Sequence, residues 1–95
     1  MTTHTLKIWP EWFDLLIHRR KEFELRKDDR YFKEGDIIRL CEYLPDSKKY
    51  TGCVALARIT FITKNAPGLM PGYVAMGILF LNLEVKHNSY QEVDL

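Results

Sequence analysis

Residues 18–36 read HRRKEFELRKDDRYFKEGD, and the reading of this stretch decides the fold. Between Arg19 and Lys33 it holds seven basic residues against four acidic, an excess of three in a chain whose formal net charge is only +1. With Glu22 to Arg26 as a strand, alternation sends Phe23 and Leu25 to one face and Glu22, Glu24 and Arg26 to the other. The apolar pair is then expected on a core and the charges on a polar surface. Asp28-Asp29-Arg30 follows as a turn, because aspartate side chains bond readily to nearby backbone. Tyr31 and Phe32 are expected to pin that turn to the core. Lys33 to Asp36 is a second turn, with Gly35 free to take a positive φ.

Upstream, Thr5 to Ile8 alternates as a short strand with Leu6 and Ile8 on one side and Lys7 on the other. Trp9-Pro10-Glu11 reads as a helix start, since proline is preorganised for the first turn and Glu11 and Asp14 suit the positive end of the dipole. A helix from Pro10 to about His18 lines up Trp9, Phe13, Leu16 and Ile17, with Trp12 and Leu15 flanking. His18, Arg19 and Arg20 fall at its C-terminal end, where positive charge is favoured without any ligand.

Downstream, Ile37 to Tyr43 is a strand and Pro45 to Lys49 a polar hairpin connection. Thr51 to Thr63 alternates, with Val54, Leu56 and Arg58 on one face and Ile59, Phe61 and Thr63 on the other, a change of face expected at a bulge. Asn65 to Gly72 is a loop, marked by two proline turns, that folds over the core through Leu69 and Met70. Tyr73 to Leu83 is nearly continuous in apolar residues and reads as a buried strand. Lys86 to Leu95 is polar and reads as a tail or a short final strand. The pattern predicts one α+β, mainly β domain over residues 1–95, with its core in 3–84: a small, closed or nearly closed barrel of about five to six strands with the early helix across one opening.

A chain of 95 residues supports one core and not two. Cys41 and Cys53 lack metal-ligand spacing and are expected reduced, in the core or half-buried. His4, His18 and His87 are scattered, so no metal, cofactor or catalytic histidine is expected. The longest apolar run is far short of the roughly 20 residues of a membrane span, and no secretory signal is evident, so the expectation is a soluble cytoplasmic protein.

Arg19 to Arg26 resembles the signature Gly-x-Lys-x-x-Glu-x-Arg of the ASCH domain, a branch of the PUA-like superfamily. Further pieces extend the likeness over roughly Thr3 to Leu81: His4 to Ile8, Pro10 to Phe13, Phe23 to Arg30, Phe32 to Asp36, Tyr50 to Gly52 and Gly68 to Tyr73. The resemblance implies a PUA-like barrel with a cleft between barrel and helix that takes RNA or a nucleotide, lined by Lys21, Glu24 and Arg26. Arg19 stands where the signature has glycine, which adds a charge and removes a flexible backbone position.

By spacing alone, Glu22, Glu24 and Arg26 form a solvated charged face. Under the resemblance, Lys21 is a point charge for phosphate, Arg26 a planar fork for two oxygens, and Glu24 the group that orients them. Arg19 adds charge, while Tyr31, Tyr50 and Tyr73, with Trp9 and Trp12, are stacking candidates, Tyr50 and Tyr73 the better ones because they stand at loop to strand junctions. Some small ASCH proteins are amidohydrolases acting on N(4)-acetylcytidine, and others are ribonucleases. Lys21 and Glu24 are the catalytic candidates in such an enzyme, although Glu24 occupies the hydrolase threonine position and favours a protonated, non-nucleophilic Lys21. Binding of RNA or a nucleotide is therefore the expected function, ahead of catalysis.

Overall fold

A computed structural model describes residues 1–84. Five strands and one short helix follow in the order β1 (Thr3–Ile8), α1 (Pro10–Ile17), β2 (Phe23–Lys27), β3 (Ile37–Leu44), β4 (Lys49–Thr63) and β5 (Tyr73–Leu83). The expected tail or final strand at 86–95 lies outside the described residues.

The strands form one sheet in the order β1-β3-β4-β5-β2, curled into a half-barrel. β1 runs parallel to β3, and the other neighbours are antiparallel. No ladder joins β1 to β2 among the described residues, so a seam takes the place of the expected closure. Curvature comes from β4, whose pairing with β5 shifts register between Leu56 and Ala57 and again between Ile59 and Phe61. Such bulges bend a strand and increase its twist.

Along β1, β3, β4 and β5 the concave face is apolar. β1 contributes Leu6 and Ile8, β3 Ile38 and Leu40, β4 Ala55, Ala57 and Ile59, and β5 Val74, Met76 and Ile78. Here β4 departs from expectation: Ala55 and Ala57 face inward, Leu56 is only half-buried and Phe61 is exposed. Small residues at these positions let the bent strand approach its neighbours closely. β5 also alternates rather than lying buried throughout, because Leu79 and Leu83 reach solvent.

α1 covers the concave face with Phe13 and Leu16, packing on β3 and β5. Trp9 and Trp12, placed on or beside the apolar stripe by periodicity, are instead about half exposed. The helix ends in a Schellman turn: Arg20 N donates to Leu15 O (2.8 Å) and Arg19 N to Leu16 O (3.0 Å). Phe32 is buried, but Tyr31 is 87% exposed and pins nothing; of the two loop residues expected over the core, Leu69 is half-buried and Met70 is exposed. Cys41 is half-buried, whereas Cys53 is exposed rather than sheltered, and both thiols are free.

No local pattern in the sequence pairs His4 with Asp36. Both are buried, and His4 Nε2 lies 2.8 Å from Asp36 Oδ2. The same carboxylate accepts from Thr2 N (3.0 Å) and Lys33 N (3.1 Å), tying the start of β1 to the turn before β3. Burial pushes the Asp36 carboxyl up, but the hydrogen bonds from His4, Thr2 and Lys33 outweigh it and hold it below the ordinary carboxylate value.

Candidate charged cleft at the seam

β2 is inside out relative to the pattern of its residues. Phe23 and Leu25 are 55% and 53% exposed, whereas Glu24 is 6% and Lys21 9% exposed. Pairing with β5 explains the arrangement: Glu24 stands opposite Met76 and Arg26 opposite Val74, both on the concave face, while Phe23 and Leu25 face Gly77 and Ala75. Thus the charged side of the strand points into the half-barrel, at the seam where β1 and β2 leave the sheet unclosed.

Lys21, Glu24 and Arg26 form one connected group. Lys21 Nζ donates to Glu24 Oε1 (2.8 Å) and to Phe23 O (2.6 Å). Arg26 donates to Glu24 Oε2 through Nε (3.2 Å) and Nη2 (2.9 Å). Glu24 therefore holds one cation on each oxygen, and two positive charges share one negative. Arg26 Nη2 also donates to Lys7 O, and Arg30 Nη1 to Thr5 O (3.0 Å). These two guanidiniums bridge the seam to alternate carbonyls of the edge strand, where a barrel would have a ladder.

A cleft of about 660 Å³ opens over this group. Its floor includes Lys21, Glu24 and Arg26, and its walls include Trp9, Trp12, Phe23 and Leu25. The exposed aromatic residues and the buried charges meet at one place. A buried ion pair contributes little net stability, since desolvation offsets much of its attraction. Exposed large apolar side chains around such a group mark an interaction site.

Of the residues singled out by sequence, Lys21, Glu24 and Arg26 come together in this cleft. Tyr50, 56% exposed, lines an adjacent cleft that also contains Arg26. Tyr73 is half-buried, pairs with Lys27 and lines neither cleft. Arg19 also lies away from both, donating through Nη1 to Phe80 O (3.0 Å). Trp9 and Trp12, stacking candidates in the sequence but ranked there behind Tyr50 and Tyr73, line the seam cleft. Their place before and within the first helical turn, next to Lys7, is the signal in the sequence that sets them at the same opening as the strand charges. Among the described residues no three His, Cys, Asp or Glu side chains cluster as a metal site, and no helix is long and apolar enough to cross a membrane.

Residues 3–78 match the model of a family described as a domain of unknown function (DUF3850). A curated relative is the "Uncharacterized 12.9 kDa protein in GpA 3'region" of Escherichia phage P2, 37% identical over 60 residues. That match covers 63% of this chain and 53% of the phage protein, so the chain spans about half the length of the relative. Both β2 and the seam residues fall inside the family match.

Proposed function

Since the chain belongs to the DUF3850 family, a domain of unknown function, its role has to be argued from the site, and we propose that the seam cleft binds RNA or a nucleotide. The observation that carries this reading is the linked group of buried Lys21 and Glu24 with half-buried Arg26, in a cleft also lined by two half-exposed tryptophans. A nucleotide presents a flat π surface and an anionic phosphate, and these are the two chemistries the cleft offers. Trp9 and Trp12 supply stacking faces, and Lys21 and Arg26 supply charge-assisted donors. Glu24 is the positioning residue, holding the ammonium and the guanidinium in place. Arg26 is engaged through Nε and Nη2, which leaves Nη1 without a partner among the described residues and able to meet an oxygen of the ligand. The resemblance to ASCH domains of the PUA-like superfamily points to the same three side chains.

Hydrolysis of a modified nucleoside is the weaker reading. A lysine nucleophile must be a neutral amine. Here Lys21 Nζ is engaged as a donor to both a carbonyl (2.6 Å) and a carboxylate (2.8 Å) rather than standing free toward the cleft.

Fluorescence anisotropy with a labelled single-stranded RNA tests the proposal. The Lys21→Ala, Arg26→Ala double variant binds more weakly and with a shallower salt dependence, by about 0.7 in log-log slope for each phosphate no longer neutralised. Because those residues also support the seam, Trp12→Ala serves as a surface variant and loses about 1–3 kcal/mol of binding. Wild-type affinity in both variants would falsify the proposal.

A further inference from the structure

Beside the seam cleft lies a second one of about 450 Å³, and the two share Lys7 and Arg26. Alternation along β1 explains its chemistry, since His4, Leu6 and Ile8 turn inward while Thr5 and Lys7 turn outward. Register then places Arg39 opposite Thr5 and Cys41 opposite Lys7. Arg30 reaches the same edge through its bond to Thr5 O.

Four cations, Lys7, Arg26, Arg30 and Arg39, wall this cleft against one carboxylate, Glu42, which accepts from Thr51 Oγ1 at 2.8 Å. The carboxylates that orient the guanidiniums are not among its walls. Glu84 grips Arg39 at Nε (2.8 Å) and Nη2 (2.7 Å), and Glu24 holds Arg26 from the first cleft. Arg39 Nη1 turns instead to Thr5 Oγ1 (3.3 Å). Aromatic surface adjoins these charges: Tyr50 packs edge-on to Tyr43, with centroids 4.9 Å apart, and Lys7 Nζ stands 4.3 Å from the centroid of Tyr43.

We propose that the second cleft holds the sugar-phosphate backbone and neighbouring base of the same ligand, so that the ligand is a single strand longer than one nucleotide. The inference rests on the nucleotide reading of the first cleft and extends it across Arg26. The first base stacks at the tryptophans, the linking phosphate passes over Arg26 and Lys7 toward Arg30, and the next base meets Tyr50.

Titration of the protein with uridine 5'-monophosphate and with a labelled four-nucleotide single-stranded RNA decides it. The wild type binds the oligonucleotide more tightly than the mononucleotide, by on the order of tenfold for one added stacked base. Tyr50→Ala and Arg30→Ala each remove most of that gain, and Tyr50→Ala, which lies outside the first cleft, leaves mononucleotide binding unchanged. Tyr50 is exposed on the β3 to β4 hairpin, so its variant keeps the folded state, which a thermal melt confirms. Equal affinity for the two ligands, or an undiminished gain in both variants, overturns the second cleft and leaves the first standing. Binding of neither ligand by the wild type overturns both.

Discussion

Arg19 occupies a backbone conformation suited to glycine. Its φ is +59°, in the left-handed region that costs other residues about 1–2 kcal/mol. The Schellman turn requires that conformation at the residue after the helix cap. The arginine offsets the strain through Nη1 on Phe80 O and through its guanidinium, 5.3 Å from the Phe80 ring centroid. Arg19→Gly is accordingly near neutral, because relief of the strain and removal of the Phe80 interactions oppose each other. Arg19→Ala keeps the strain without the hold on Phe80, so it is less stable than Arg19→Gly by about 1 kcal/mol. Urea denaturation of the two variants checks this; equal midpoints would refute it. The glycine of the resembling signature was thus legible as a backbone requirement, but an arginine meeting that requirement through a hydrogen bond 61 residues along the chain was not.

At the scale of elements, the His4 to Asp36 pair joins β1, the turn before β3 and β3 itself. The Asp36 pKa is lowered in the folded state from its ordinary 3.8. Its contribution to stability is therefore complete above about 3.8 and is lost as the pH falls through the lower folded value. Asp36→Asn destabilises the protein at neutral pH by about 1.5–3 kcal/mol, the magnitude of hydrogen bonds to a charged group. The gap between wild type and variant narrows in acid, which chemical denaturation across pH measures; a gap independent of pH contradicts the assignment. Most element boundaries were legible, because the proline at the start of α1, the turn before Asp36 and the proline-rich loop before β5 act locally. The orientation of β2 was not. Alternation divides a strand into two faces without saying which one points inward, and hydrophobicity chose Phe23 and Leu25. The inner face instead carries Glu24 and Arg26, a departure from core formation expected where a strand serves a site.

For the whole molecule, the open seam ties the fold to the proposed function. A complete barrel would pair β1 with β2 and bury the backbone groups that Arg26 and Arg30 now engage. The half-barrel leaves room there for a cleft whose floor is charged and whose walls are aromatic. Lys21, Glu24 and Arg26 were legible as a group from the resemblance, but the inward placement of Glu24 and Arg26 depends on the pairing of β2 with β5 across some fifty residues of chain. The tryptophans were legible as stacking candidates, but ranked behind Tyr50 and Tyr73, and it is the packing of α1 beside β2 that sets them at the strand charges.

Both tryptophans of the chain line the seam cleft, so tryptophan emission, excited selectively over the five tyrosines, reports on that place. The most direct measurement is tryptophan emission during titration with a short single-stranded RNA whose binding is followed in parallel by anisotropy. Occupation of the cleft gives saturable quenching that tracks the anisotropy change and weakens with salt. Unchanged emission across a titration in which the RNA binds would contradict the account, because the ligand would then sit elsewhere.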